Sequence, residues 1–200
     1  TSKIFQEIKL KINNIINDGE GSTKGSVTKN YLKRIDLEKH PDIIRLGLEL
    51  VLDQQILDYA VEYLGEKPLL TELKVLVSDT NNEPVGSQLF HCDFDDERML
   101  KVFIYINNVT KYHGPLQAVD KDLSERIRAE TRYRYGVEGG TGISSHSDKY
   151  EELVEKGYAE FLAEAGDVTL IDAAGCFHRG SRRCEMPRVV LYGSYCTRSS

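Results

Sequence analysis

The chain has 200 residues, of which 40% are hydrophobic and 29% are charged, and its formal net charge is -6 at pH 7. A chain of this length buries roughly 70% of the surface of its unfolded state, so it can form one sizeable core. Acidic and basic residues are interspersed and the apolar runs fall far short of the ~20 residues that span a bilayer, so neither nucleic acid nor a membrane is an expected partner.

Helical periodicity comes first along the chain. Hydrophobic residues recur at helical spacing between Pro41 and Gly65, which predicts one long helix or two short ones. Gly65 and Pro68 are typical of a helix end. The chain then changes to short, β-rich runs bounded by turn residues, at 73–77, 87–94, 101–107, 168–172 and 188–195. A second helix is predicted over 149–165, so the middle and end of the chain are mostly sheet.

The chain contains no internal repeat and no linker, so we expect a single domain over residues 1–200, with helical support mainly within 41–65. Its cysteines are scattered without a Cys-x-x-Cys pair, at Cys92, Cys176, Cys184 and Cys196. A chain of this size does not depend on disulfides for a core. We therefore expect reduced thiols and a cytoplasmic location.

A candidate metal site begins in the stretch "QLFHCDFDD". Side chains alternate along a strand, so His91 and Asp93 point the same way. A 2-His-1-carboxylate triad, the usual site of non-haem iron(II) oxygenases, needs one more histidine. His178 follows a predicted strand and a glycine turn in "GDVTLIDAAGCFHRGS", and another predicted strand comes soon after it. The other histidines lie at a predicted helix start or in polar, loop-like sequence: His40, His113 and His146.

An arginine begins the last predicted strand, "RVVLYGSY", ten residues after His178. A guanidinium makes a bidentate pair with a carboxylate, so Arg188 is suited to a dicarboxylate cosubstrate. The alternative is a surface arginine on an edge strand. Arg182 and Arg183 compete for the same role, but they lie in the polar loop before the strand.

Three segments resemble the phytanoyl-CoA dioxygenase-like family of iron(II)- and 2-oxoglutarate-dependent oxygenases: "GSQLFHCDFDDERMLKVFIYINNV", "GPLQAV" and "GDVTLIDAAGCFHRGSRRCEMPRVVLYGSY". The likeness runs from about Leu73 to Tyr195, and the His-x-Asp strand, the Gly-Pro turn, the Gly-Asp strand, the distal histidine and the later arginine appear in the family's order. Two departures concern the substrate pocket. Many relatives carry a tryptophan or another large residue at Phe90, and many continue from "GPL" into a Pro-Gly-Ser-His turn that is missing here.

The resemblance implies a mainly β fold with flanking helices, a double-stranded β-helix or cupin-like jelly roll with its core at about 73–196. It implies that His91, Asp93 and His178 bind iron(II) and that Arg188 holds the distal carboxylate of 2-oxoglutarate. The implied reaction uses O2, releases succinate and CO2, and hydroxylates a small-molecule, lipid or sugar-type substrate. A carboxylate in the triad favours hydroxylation over halogenation. The alternatives are a non-catalytic jelly-roll protein and a zinc- or manganese-binding cupin-like protein.

Other polar residues near these motifs leave alternatives open. Gln88 lies on the opposite face from His91 if the strand is regular, although a bulge would bring it to the cosubstrate. Lys101 begins the next predicted strand, where it either contacts the C1 carboxylate of 2-oxoglutarate or lies at a solvated strand end. Asp95 and Asp96 are alternative metal ligands or part of a polar turn.

The interval 111–147 is long, rich in Arg and Tyr, and poor in core residues. Between 121 and 134, five basic residues oppose three acidic ones, a surplus of two positive charges in an acidic protein. This interval is either a lid that meets an anionic small-molecule substrate or a solvated helix and loop with i,i+4 ion pairs.

Overall fold

The computed structural model describes residues 2–19, 22–23, 32–78, 86–88, 90–93, 96–131, 157–180 and 184–197. Within these residues the helices are α1 (Lys3–Asn17), α2 (Pro41–Val51), α3 (Gln54–Leu64) and α4 (Lys121–Thr131). The strands are β1 (Ser22–Thr23), β2 (Leu32–Ile35), β3 (Leu69–Ser78), β4 (Met99–Tyr105), β5 (Leu116–Val119), β6 (Tyr158–Phe161), β7 (Val168–Asp172), β8 (His178–Gly180) and β9 (Arg188–Cys196). None of the described helices combines the length and the apolar character that crossing a membrane requires.

The predicted helical region divides into two helices because the chain turns at Asp53. The Asp53 carboxylate accepts a hydrogen bond from the Gln55 N–H at 2.9 Å and so caps the start of α3. Helix α3 ends at Gly65, whose φ of 75° is a left-handed conformation that glycine adopts without steric cost. The sequence prediction missed α1, which begins where the Ser2 hydroxyl accepts from the Phe5 N–H at 3.1 Å.

Six strands form a large antiparallel sheet in the order β1-β2-β3-β9-β4-β7. Alternate residues of its central strands face the helices, and Val75, Val102 and Leu191 are completely buried there. Gly47 lets α2 lie close to this face, because a Cβ at that position would be 3.3 Å from Leu191 and 3.4 Å from Leu73. The opposite face of the same strands lines a cavity.

Three strands form a smaller antiparallel sheet in the order β6-β5-β8. Leu116 of β5 packs with Ile171 of β7 and Phe103 of β4, so the two sheets share a second, smaller core. This arrangement of two antiparallel sheets with helices against the larger one is a jelly roll. The predicted fold class is therefore confirmed.

Two predicted elements are wrong. Residues 87–94 do not form a regular strand, because Gly86–Gln88 is a 3-10 turn and His91 makes an isolated bridge. The helix predicted over 149–165 is contradicted at Tyr158–Phe161, which is strand β6 paired with β5. Helix-forming glutamate and alanine residues are overridden there by strand pairing. The first part of that predicted helix, 149–156, lies outside the described residues.

The predicted lid interval begins with ordinary elements of the fold. Strand β5 is the middle strand of the smaller sheet, and α4 follows it. Arg128 ties α4 to the loop after β7 by donating to the carbonyls of Ala174 and Gly175, at 3.3 and 2.7 Å. The remainder, 132–147, lies outside the described residues, so the lid stays a prediction. The structure contains no disulfide bond between the four cysteines.

Candidate metal centre

The candidate site lies where one short segment connects the two sheets. His91 exchanges two backbone hydrogen bonds with His178 of β8, at 3.0 and 2.9 Å. Two residues later, the Asp93 N–H donates to the carbonyl of Ala173, just after β7, at 2.8 Å. His91 thereby fixes the segment to strand β8 of the smaller sheet, and Asp93 fixes it to the end of strand β7 in the larger sheet.

The three predicted ligands lie together. One ligand atom from each of His91, Asp93 and His178 falls within 4.8 Å of the others. Asp93 Oδ1 is 3.7 Å from His91 Nε2, and Asp93 Oδ2 is 3.3 Å from His178 Nε2. The side chains of His91, Asp93 and His178 are 16%, 17% and 5% exposed, respectively, so the group is largely shielded from bulk water, and it lines the cavity.

A backbone contact decides which nitrogen of His178 faces the group. His178 Nδ1 lies 3.0 Å from the carbonyl oxygen of Cys176. A carbonyl only accepts, so Nδ1 carries the hydrogen in this contact and Nε2 is left with its lone pair directed at Asp93. His178 Nε2 and Asp93 Oδ2, which lie 3.3 Å apart, need a cation between or beside them, and a proton on Nε2, the ammonium of Lys101 or a metal ion can supply it. The donor set therefore fits a divalent metal.

Lys101 also belongs to this group. Its ammonium contacts Asp93 Oδ2, and its side chain is 12% exposed, so the solvated strand end considered from the sequence is wrong. Burial acts to raise the pKa of Asp93, but Lys101 and the two imidazoles outweigh that effect and hold it well below its usual range. Asp93 is consequently a carboxylate at any physiological pH.

A cavity of about 330 Å³ opens from this group between the sheets. Its lining includes His91, Asp93 and His178 together with the other predicted site residues, Gln88, Lys101 and Arg188. Among the described lining residues four are basic and two are acidic: Arg34, Lys74, Lys101 and Arg188 against Glu72 and Asp93. The cavity is therefore cationic within a protein whose net charge is negative.

Arg188 lies on an inner strand. Strand β9 is flanked by β3 and β4, so the edge-strand alternative is contradicted. Its Nη1 donates to the Gly114 carbonyl at 2.5 Å, and its Nη2 donates to the Ser78 hydroxyl at 3.4 Å. A Cβ on Gly180 would lie 3.5 Å from Nη2, so a glycine there leaves room beside the guanidinium.

Of the remaining residues considered from the sequence, one lines the cavity and the other described ones make contacts elsewhere. Gln88 is buried in the 3-10 turn Gly86–Gln88 and lines the cavity. Because Gln88 is not part of a regular strand, the expectation that it lies on the opposite face from His91 does not hold. Asp96 accepts hydrogen bonds from the N–H of Thr197 at 2.7 Å and from the hydroxyl of Thr197 at 3.0 Å, away from the three candidate ligands. His113 contacts Thr110 in a loop. The following candidates lie outside the described residues: Asp95, His146, Arg182 and Arg183.

Sequence reasoning missed one wall of the cavity. Glu72 and Lys74 form an ion pair on β3, and Lys74 Nζ lies 5.8 Å from the centre of the Tyr192 ring. Tyr192 is 6% exposed, and burial raises the pKa of its phenol. The available signal was the alternation of charged residues at 72 and 74 within an otherwise apolar strand, which marks the polar face of a half-buried strand.

The chain is similar in structure to several solved proteins. SnoN, a non-heme alpha ketoglutarate dependent epimerase from nogalamycin biosynthesis solved with Fe3+, alpha ketoglutarate and nogalamycin RO, is 18% identical over 98% of this chain and 75% of its own, with a TM-score of 0.64. EctD from S. alaskensis, with 2-oxoglutarate and 5-hydroxyectoine, is 14% identical over 100% and 70%, with a TM-score of 0.63. HygX from Streptomyces hygroscopicus, with nickel, 2-oxoglutarate and hygromycin B, is 13% identical over 99% and 80%, with a TM-score of 0.58.

No protein-family model and no curated protein matches the sequence. The structural similarity therefore stands at the level of the jelly-roll fold. All three of these proteins were solved with 2-oxoglutarate or alpha ketoglutarate and with a further small molecule, which is nogalamycin RO, 5-hydroxyectoine or hygromycin B.

Proposed function

We propose that this protein is an iron(II)- and 2-oxoglutarate-dependent oxygenase that acts on a small molecule. The observation that carries the proposal is the convergence of His91, Asp93 and His178 on one point at the edge of a cationic cavity. Two imidazoles and one carboxylate on one face leave the remaining coordination positions of an iron ion open. The fold shared with SnoN, EctD and HygX supports the same assignment.

The three side chains would hold iron(II) through His91 Nε2, His178 Nε2 and one oxygen of Asp93. Bound iron would supply the redox chemistry that couples decarboxylation of 2-oxoglutarate, with O2, to oxidation of a C–H bond. The protein's contribution is positional. The Cys176 carbonyl orients the His178 ring, and the burial of all three side chains limits the access of water to the oxidising centre.

The cosubstrate 2-oxoglutarate fits the charge of the cavity. It carries two carboxylates, and the basic lining residues exceed the acidic ones by two. Arg188 would pair with the distal carboxylate through its planar fork, with the Ser78 hydroxyl beside it as a further donor. Gln88 and Lys101 line the same cavity and would contact the cosubstrate closer to the metal.

We further propose hydroxylation as the outcome and the phytanoyl-CoA dioxygenase-like family as the nearest group. The order of motifs along the chain supports the family, and Asp93 would fill the coordination position that related halogenases leave for chloride. The surplus of positive charge in the cavity supports an anionic small-molecule substrate, held beyond the cosubstrate on the wall of Glu72, Lys74 and Tyr192.

Cosubstrate turnover tests this function. Iron-loaded protein supplied with O2 should convert 2-oxoglutarate to succinate, slowly without a primary substrate and faster when the right metabolite is added from a profiled extract. Asp93→Ala should abolish the conversion and weaken iron binding. A zinc- or manganese-binding jelly-roll protein would bind metal and leave 2-oxoglutarate unconsumed, and a non-catalytic one would do neither.

A further inference from the structure

Lys101 occupies the place of a counter-ion inside the candidate metal centre. Its ammonium contacts Asp93 Oδ2, the oxygen that also lies 3.3 Å from His178 Nε2. Strand β4 is hydrogen-bonded to β9 on one side and to β7 on the other, so the Lys101 backbone cannot retreat. A metal ion held by all three ligands binds the same carboxylate as the ammonium, either through Oδ2 itself or through Oδ1, which lies 3.7 Å from His91 Nε2.

Sharing is unfavourable on electrostatic grounds. A divalent ion and an ammonium on the same carboxylate would lie within about 5 Å of each other, where like charges repel strongly in a poorly hydrated site. The lysine stem is flexible, whereas Asp93 is held by its backbone bond to Ala173. The ammonium is therefore the group that moves.

On the basis of the proposed function, we propose that Lys101 is a placeholder cation: it neutralises Asp93 until the metal binds, is displaced by the metal, and then pairs with a carboxylate of the cosubstrate. The exchange breaks one ion pair and forms another, and no covalent bond changes. Metal entry would thus create the second cationic contact for 2-oxoglutarate, so that metal binds before cosubstrate.

Tyr192 and Glu72 lie close enough to Lys101 to stabilise its ammonium after displacement from Asp93. Its Nζ already lies 5.6 Å from the centre of the Tyr192 ring, within the range of a cation–π contact. In the sheet register, Lys101 pairs with Ser194, and Ser194 pairs with Glu72 on the far side, so the acidic side chain lies in the same row across the sheet. A short swing toward the cavity keeps the ammonium close to negative charge.

The proposal predicts opposite changes in two affinities when the ammonium is removed. Lys101→Met keeps the length of the stem and deletes the charge. Nickel(II), used as a redox-inert probe and titrated calorimetrically at about pH 8, should bind at least about tenfold more tightly to this variant than to the wild type. In the nickel-loaded variant, 2-oxoglutarate should bind at least about fivefold more weakly.

The chain offers a matched control in Lys74→Met. Lys74 lines the same cavity two strands away, on β3, but pairs with Glu72 on its own strand. Its removal changes the general charge of the cavity without touching Asp93, so nickel affinity should change by less than about threefold. An equal increase in nickel affinity in Lys101→Met and Lys74→Met would show that the effect comes from the general charge of the cavity, and it would overturn the placeholder role of Lys101.

A measurement on the wild type does not depend on how the variant folds. Reductive methylation with peptide mass spectrometry should label Lys101 more in the presence of saturating nickel than in its absence, while Lys74 labelling stays constant. Unchanged Lys101 labelling, or unchanged nickel affinity in Lys101→Met, would overturn the proposal while leaving the metal site intact. A wild-type protein that binds no nickel at all would instead remove the proposed function together with this inference.

Discussion

His178 donates the hydrogen on Nδ1 to the Cys176 carbonyl, and this bond leaves Nε2 to face Asp93. At the scale of single residues, the sequence suggested the three candidate ligands from local patterns, two residues in one short segment and a distal histidine near a strand end, and the structure brings these three side chains together. The contact between Lys101 and Asp93 could not be predicted, because it depends on the placement of β4 beside the bridging segment. The Glu72–Lys74 pair was missed for the same reason.

Arg188 gives the sharpest test at this scale. Arg188→Ala should weaken 2-oxoglutarate binding by roughly thirty-fold or more, because breaking a buried charge pair costs about 2–5 kcal/mol. Arg188→Lys should recover only part of the loss, since an ammonium lacks the second parallel hydrogen bond. Nickel affinity should hardly change. Calorimetric titration of 2-oxoglutarate into nickel-loaded proteins measures both effects.

The control for Arg188 is Arg45→Ala on α2, whose exposed side chain pairs with Glu49. It should bind 2-oxoglutarate as the wild type does. Equal affinities for the wild type and Arg188→Ala would remove Arg188 from the cosubstrate site.

At the scale of elements, strand β8 aligns the site from both of its faces. His178 points into the cavity, while the next residue, Arg179, is 8% exposed and packs its guanidinium 4.0 Å from the centre of the Phe90 ring. Phe90 directly precedes His91. Arg179 Nε also donates to the Gln117 side chain on β5 at 2.7 Å. The stacked pair therefore fixes the bridge between the two histidine-bearing segments on the side away from the cavity.

Removing this pair should disturb the metal site from a distance. Arg179→Met should lower the free energy of unfolding by about 2–3 kcal/mol, from the loss of a buried cation–π contact and a charge-assisted hydrogen bond. Nickel affinity should also fall. Phe90→Leu should show part of the same effect, and urea unfolding of the two single variants and the double variant should give a coupling energy above about 0.5 kcal/mol. Additive losses would show that the two side chains act separately.

Element predictions succeeded where the pattern was local and failed where tertiary contacts decided. The run 168–172 coincides with β7, because β-branched and apolar residues there are bounded by turns on both sides. The segment 87–94 has a similar composition, but the backbone hydrogen bonds of His91 and Asp93 are divided between β8 and the end of β7, and no strand partner runs along the part of the segment that the structure describes. Tyr158–Phe161 has helix-forming neighbours, yet it pairs with β5.

At the scale of the whole molecule, buried tyrosines connect the helices, the sheet and the cavity. Burial raises the pKa of the half-buried Tyr63 and of the buried Tyr105, Tyr192 and Tyr195. Tyr195 reaches about 12, and its hydroxyl donates to the Val51 carbonyl at the end of α2. The helical layer, predicted from the sequence as support for the sheet, is thus attached to β9 by a buried polar contact as well as by apolar packing.

These tyrosines should limit stability in alkali. An unfolded tyrosine ionises near pH 10, whereas Tyr195 stays protonated in the folded state to about pH 12, so its contribution is complete below pH 10 and is lost as the pH rises through that interval. Tyr195→Phe should cost about 1–3 kcal/mol at neutral pH, because the buried Val51 carbonyl loses its donor. The fall in stability above about pH 10 should be shallower in this variant. Urea unfolding across this range measures both, and parallel pH profiles for the two proteins would contradict the assignment.

The central claim is that His91, Asp93 and His178 hold an iron ion to which 2-oxoglutarate binds. Anaerobic titration of 2-oxoglutarate into the iron(II)-loaded protein tests it directly, because chelation of the cosubstrate to iron produces a metal-to-ligand absorption band. We predict that the band appears and saturates in the wild type, that it is absent in His178→Ala, and that Arg45→Ala behaves as the wild type does. A wild-type protein without the band, or a band of equal intensity and midpoint in His178→Ala, would contradict the account.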